Sequence, residues 1–132
     1  MDKIERRRHL LVRPDPDPRM DYVVTLAGRI AGERAALSAR VEVRYVPDRQ
    51  ILDPDSLLAY LGNLGPITSA ALEEVGGAVL DDINNEVVPR WVQVSVAMEN
   101  REVADGPEHS VLFEDRQPRW DNPQLLGRLR RH

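Results

Sequence analysis

The chemistry open to this chain is set first by what it lacks. There is no cysteine among its 132 residues, which excludes thiolate nucleophiles, disulfides, thiolate zinc sites and iron–sulfur ligation. The histidines are His9, His109 and His132. No two of them fall at ligand spacing on one helix face, so they read as surface polar residues and no metal is expected. Ser56, Ser69, Ser95 and Ser110 have no visible base, and the chain has neither a nucleophile elbow nor a phosphate-cradling glycine loop. Carboxylates remain. Along residues 72–87, Leu72, Val75, Val79, Ile83 and Val87 recur at three and four, the buried stripe of a helix. At about 100° per residue Glu73 falls beside Leu80 on the edge of that stripe, while Glu74, Asp82 and Glu86 are expected on the solvent side. Glu73 then has two readings. It is a helix-start acid near the positive end of the macrodipole, or a group that accepts N–H donors from a ligand.

The elements that would position these residues can be read from periodicity. Pro14, Pro16 and Pro18 alternate with charged residues, so residues 1–19 form an extended arm with few amide donors. Ordered structure is expected from about Asp21, with a first strand over Tyr22–Ile30 and a short reversal at residues 31–36. Leu37, Ala39, Val41, Val43 and Tyr45 alternate with polar residues, a second strand with one buried face. Asp53 as N-cap and Pro54 at the first helical position start a helix carrying Leu57, Leu58 and Leu61. The longer helix comes next, capped by Thr68 or Ser69 and ended by Pro89. Gly76-Gly77 in its middle implies that another backbone or a ligand comes close. Trp91–Met98 and Ser110–Glu114 are the third and fourth strands, and a short helix is expected within 123–130. The order β-β-α-α-β-β defines an α+β domain over residues 20–115, a four-stranded antiparallel sheet with two helices on one face, followed by a basic tail over 116–132.

Charge is unevenly distributed. The formal net charge is -4, with the first 19 residues at +2, the last 17 at +4 and the body between them at -10. An acidic body repels a phosphate backbone, so nucleic acid is not an expected partner. The terminal arginines, Arg6, Arg7 and Arg8 and Arg128, Arg130 and Arg131, read as solvated charge or as arms that dock on an acidic neighbouring subunit. Mean hydropathy is -0.44. No apolar run reaches the roughly 18 residues of a membrane span or signals secretion, which points to a cytoplasmic protein.

The element order is that of the tunnelling fold, shared by GTP cyclohydrolase, pterin synthase and nitrile reductase families. Tyr45-Val-Pro-Asp48, the D-P-D-S-L-L-A-Y segment of residues 53–60, Leu80-Asp-Asp82, Pro89-Arg-Trp91 and the lead-in Pro-Asp-Pro-Arg-Met-Asp-Tyr of residues 16–22 together resemble the NADPH-dependent 7-cyano-7-deazaguanine reductases of queuosine biosynthesis. The resemblance spans about residues 14–100. It implies subunits that join their sheet edges into a barrel, with a purine- or pterin-like heterocycle held at subunit interfaces. It also places the family's base-anchoring glutamate on Glu73, so the ligand reading of that residue gains weight; an ionised carboxylate can accept two adjacent N–H donors.

The departures from that family concern the chemistry. Its cysteine, which forms a thioimide with the nitrile, falls near Ile30, and its proton-handling aspartate near Leu37. The histidine before the anchor is Leu72. The E-S-K-S-x-K nicotinamide signature reads Asp53-Pro-Asp-Ser56-Leu-Leu58, without either lysine, and the R-G-G after the third strand is Asn100-Arg101-Glu102. The resemblance therefore implies ligand-binding positions at Glu73, Asp53 and Ser56, no assignable catalytic residue and no NADPH cofactor. Three functions are compatible with this pattern. One is a nitrile-reductase relative that binds a heterocycle without reducing it. The second is an enzyme with non-covalent acid–base chemistry, and the third is a scaffold with a vestigial pocket.

Overall fold

A computed structural model describes residues 3–31, 38–64, 71–99 and 108–131. The expected reversal at 31–36, the caps Thr68 and Ser69, and Asn100-Arg101-Glu102 fall wholly or largely outside the described residues, as do Leu37 and His132. Strands β2 (Val24–Ala31), β3 (Ser38–Val46), β5 (Trp91–Met98) and β6 (Ser110–Arg116) form one antiparallel sheet in the order β2-β3-β5-β6. Helices α2 (Pro54–Gly62) and α3 (Leu72–Val87) cover one face of it. No helix among the described residues is long and apolar enough to cross a membrane.

The sheet register explains why only one face takes the helices. Val43 stands opposite Leu26 on one side and Val94 on the other, and Val94 opposite Phe113. These rows, with Val41, Val96, Tyr45 and Val92, pack against Leu57, Leu61, Val75, Val79 and Ile83 to form the core. The alternate row, Thr25, Arg44, Gln93 and Glu114 in register, faces away from the helices. Period-two alternation is thus the cause of the layer architecture.

Helix α2 begins as expected, with the Asp53 carboxylate accepting the Ser56 N–H at 3.1 Å and Pro54 in the first turn. Helix α3 differs at its start, where the N-cap is Ala71, which offers no side-chain cap, and not Thr68 or Ser69. It ends through Val88 in the left-handed region at φ 50° before Pro89. Gly76 provides the expected close approach, since a Cβ there would lie 2.5 Å from the Phe113 ring and 3.1 Å from Val111, whereas Gly77 faces open space.

The arm departs most from expectation. Helix α1 (Lys3–Arg7) precedes the prolines, and β1 (Val12–Pro14) pairs antiparallel with β4 (Gln50–Leu52) in a small second sheet. Strands of three residues carry no periodic signal, so neither β1 nor β4 was legible in the sequence. At the other end the helical segment is shorter than expected: α4 is confined to Pro123–Leu126, capped by Asn122.

The two glycines of α3 should respond oppositely to alanine. Gly77→Ala removes backbone freedom at an open position and should stabilise by about 0.5 to 1 kcal/mol. Gly76→Ala forces Phe113 to move and should instead destabilise by about 1 kcal/mol or more. Urea unfolding of the two variants checks the sign.

Candidate functional site

Of the polar residues singled out from the sequence, three are consumed by the fold: Asp53, Ser56 and Asp82. Asp53 caps α2 and its Oδ1 pairs with Arg13 of β1. Ser56, buried in the first turn of α2, accepts the Leu11 N–H at 3.1 Å and donates to the Asp53 carbonyl at 2.7 Å. Both residues therefore fasten the arm to α2.

Asp82 corrects the helix-wheel expectation of a solvated face. It is 0% exposed. Arg6 donates to it in bidentate fashion, Nε at 2.8 Å and Nη2 at 3.0 Å, Arg7 Nε donates at 2.7 Å, and the Tyr60 hydroxyl completes the set. The reason is spacing: Asp82 comes seven residues after Val75, about 20° short of two full turns, so it lies beneath Val75 at the margin of the stripe. The same contacts correct the reading of Arg6 and Arg7 as solvated or intersubunit charge, because they dock on the acidic body of their own chain. Burial pushes the Asp82 carboxyl up, but the hydrogen bonds from Arg6, Tyr60 and Arg7 outweigh it and hold the group below the usual carboxylate range. Burial and the Asp82 contact both push the Tyr60 phenol up.

Glu73 is differently placed. It lies in the first turn of α3 and is exposed, with 57% of its side chain accessible. His109, which immediately precedes β6, brings Nε2 to 2.6 Å from Glu73 Oε1. That hydrogen bond, with the N–H of the helix start, holds the Glu73 carboxyl below its ordinary range. The group is an ionised acceptor at neutral pH, open to solvent on one side and fixed by an imidazole on the other. His109 read from the sequence as a surface polar residue. Its position is explained by Gly76: the helix meets β6 at Val111 and Phe113, so one helical turn before Gly76 faces the residue two before Val111. Among the described residues no group of three or more His, Asp or Glu side chains could hold a metal ion.

A second cluster gathers the segments that were singled out separately in the sequence. Arg90 Nη1 donates to Asp21 at 2.9 Å, and Nη2 donates to the Pro18 carbonyl at 2.7 Å and lies 3.3 Å from Asp48. Trp120 Nε1 and the Asn122 amide also donate to Asp21, each at 3.1 Å. Tyr45 accepts the Leu52 N–H at 2.8 Å. Asp15, buried in the lead-in, accepts the Tyr22 hydroxyl, and burial with that contact pushes the Tyr22 phenol up to about 12.

A four-stranded antiparallel sheet with two helices on one face, in this order, is the tunnelling fold. A solved structure, the apo form of archaeosine synthase QueF-Like, superposes with a TM-score of 0.53 over 70% of this chain and 91% of that one, at 23% identity. No family model matches the chain. By sequence it is 29% identical over 122 residues to the NADPH-dependent 7-cyano-7-deazaguanine reductase of Acidithiobacillus ferrooxidans, covering 87% of this chain and 82% of the relative. It is 28% identical over 127 residues to the reductase of the same name from Syntrophus aciditrophicus, covering 88% and 84%. The chain has the tunnelling fold and is similar in sequence to the 7-cyano-7-deazaguanine reductases.

The Asp82 cluster predicts an acid limb in stability. A carboxyl whose folded pKa lies below its unfolded value contributes stability above the unfolded value, near 3.9, and loses it as pH falls through the folded one. Stability should therefore drop below about pH 4, and Asp82→Asn should flatten that limb. At pH 7, Asp82→Ala, which strands two arginines, should cost about 3 kcal/mol. Unfolding curves between about pH 3 and pH 7 test both.

Proposed function

We propose that this protein binds a purine- or pterin-like heterocycle at an interface between copies of the chain, anchored by Glu73, and does not reduce a nitrile. The observation that carries the reading is the state of Glu73: ionised, exposed and held by His109, it offers a carboxylate edge for two adjacent N–H donors. Pairing between copies would run through the outer edges of β2 and β6, the terminal strands of the sheet, where backbone donors and acceptors are available for further pairing.

The case against nitrile reduction rests on the positions where the resemblance places the chemistry. Ile30, where the nucleophile would stand, is 1% exposed and packed in the core, and the chain contains no cysteine to take its place. The two lysine positions of the nicotinamide signature hold Asp55 and Leu58, both exposed, so a cofactor 2′-phosphate would meet an acid and an alkyl group. NADPH is accordingly not proposed as a cofactor. The Glu73–His109 contact also favours a second reading, in which the imidazole moves a proton on the bound heterocycle with Glu73 orienting it.

Purified protein given 7-cyano-7-deazaguanine and NADPH should oxidise no NADPH; turnover would overturn the non-reducing assignment. Guanine, 7-deazaguanine and pterin in a thermal-shift series should identify the binder, which at 100 times its Kd stabilises by about 2.7 kcal/mol. Glu73→Gln should weaken that ligand at least about tenfold. Unchanged affinity in the variant removes Glu73 from the site, and a pH-dependent conversion of the ligand lost in His109→Ala would establish the second reading.

A further inference from the structure

The middle of the sheet face that carries no helix is covered by the end of the chain. Arg44 and Gln93 point away from the helical layer, yet they are only 6% and 9% exposed, because residues 126–131 lie across them. Arg44 makes three hydrogen bonds: Nε donates to Gln93 Oε1 at 2.8 Å, Nη2 donates to the same oxygen, and Nη1 donates to the Arg130 carbonyl at 2.9 Å. Between this row and the covering segment run two adjoining cavities of about 280 Å³ and 410 Å³, which share Arg44, Leu129, Arg130 and Arg131.

Two independent features show what the cleft would accept. Trp91 lines the smaller cavity and is 1% exposed, and its Nε1–H is buried without a hydrogen-bond partner. An indole N–H in that state costs free energy unless something accepts from it. The second feature is charge. The acids on the cleft, Glu42 and Glu114, are each paired with an arginine outside it, Arg40 at 3.0 Å and Arg116 at 3.1 Å, and Glu42 also lies 4.0 Å from Arg44 within it. The guanidiniums of Arg128, Arg130 and Arg131 have no carboxylate partner among the described residues. The cleft therefore combines one unsatisfied donor, an excess of cationic charge and an apolar wall of Leu112, Leu126 and Leu129.

We infer that this cleft is a second binding site, on the opposite side of the sheet from Glu73, for a small molecule that joins an oxyanion to an apolar body. The oxyanion, a phosphate or a carboxylate, pairs with Arg130 and Arg131 and, once the covering segment shifts enough to admit it to the enclosed Nε1–H, accepts from Trp91, while the apolar part lies on the leucines. The size of the two lobes suits a ligand of this kind. The inference does not rest on the heterocycle reading, since it shares no residue with the Glu73 site.

The chain has two tryptophans, and they make the test internal. Trp120 Nε1 already donates to Asp21, so its resonance serves as the control. Inorganic phosphate, phenyl phosphate and benzoate are titrated into the full chain while both indole N–H proton resonances are followed by NMR. The expected result is a saturable downfield movement of the Trp91 signal with Trp120 unmoved, and a half-saturation point raised at least about tenfold in the double variant Arg130→Ala, Arg131→Ala. Whichever of phenyl phosphate and benzoate saturates at lower concentration assigns the oxyanion. The inference is overturned if no probe moves Trp91 saturably, if both indoles drift together without saturation, or if the double variant binds as the parent does.

Discussion

The structure turns on one buried charge. Asp82 takes a carboxylate to zero exposure beside a core of leucine, isoleucine, valine and tyrosine side chains, and an unpaired ion there would be prohibitively costly. Its four contacts from Arg6, Arg7 and Tyr60 meet that cost, and in doing so they tie α1, α2 and α3 to one point. The segment after α1 is constrained in turn. Leu10 enters the core, Leu11 is hydrogen-bonded to Ser56, and β1 is brought into register with β4. The first residues of the chain thus become a strap across the helical layer, and the Arg90 cluster fastens the end of that strap beside β5.

This constraint divides the surface into regions with different work. The strap closes the α2 end, so that Asp53 and Ser56, the two helix-start residues nearest it, are engaged with the arm. The N-terminus of α3, where Glu73 lies, is left open to solvent. Gly76 allows β6 to approach that end of the helix closely enough for His109 to reach the carboxylate. On the far side of the sheet the cationic end of the chain covers part of the face that the helices leave bare, and Arg44 and Gln93 are buried there.

Long periodic segments were legible in the sequence because one physical signal dominates each of them. The alternation in β3 and β5 and the apolar stripe of α3 gave element, face and core membership, and Asp53-Pro54 gave the start of α2. The misreadings arose where a residue's environment is set by a distant segment. Asp82 lies about 20° from Val75 at the margin of the stripe, where burial depends on what covers the helix, and no local property of Lys3–Arg7 announces that the arm returns to cover it. Arg6 and Arg7 carry the complementary ambiguity, since a basic run reads the same whether it meets solvent, a neighbouring subunit or its own helix. His109 is legible only once the register between α3 and β6 is known.

The segments that make this chain resemble the reductases belong to its scaffold. Tyr45, Asp48, Asp82, Arg90 and the Pro18–Tyr22 lead-in hydrogen-bond or ion-pair to other structural residues, several of them to one another. Their work is to hold the strap and the ends of the sheet. A relationship carried by such residues is strong evidence for a shared architecture, because each depends on partners far away in the chain and cannot change alone without leaving a polar group unsatisfied. It is silent on chemistry, which requires only a few side chains that the scaffold does not need. In the proposed function those are the positions that differ, with a core isoleucine where a nucleophile would be, and an acid and a leucine where two lysines would receive a phosphate. On that proposal the fold persists without the reaction, and Glu73, which no scaffold contact consumes apart from His109, is the one residue of Glu73, Asp53 and Ser56 that remains free of the scaffold to meet a ligand.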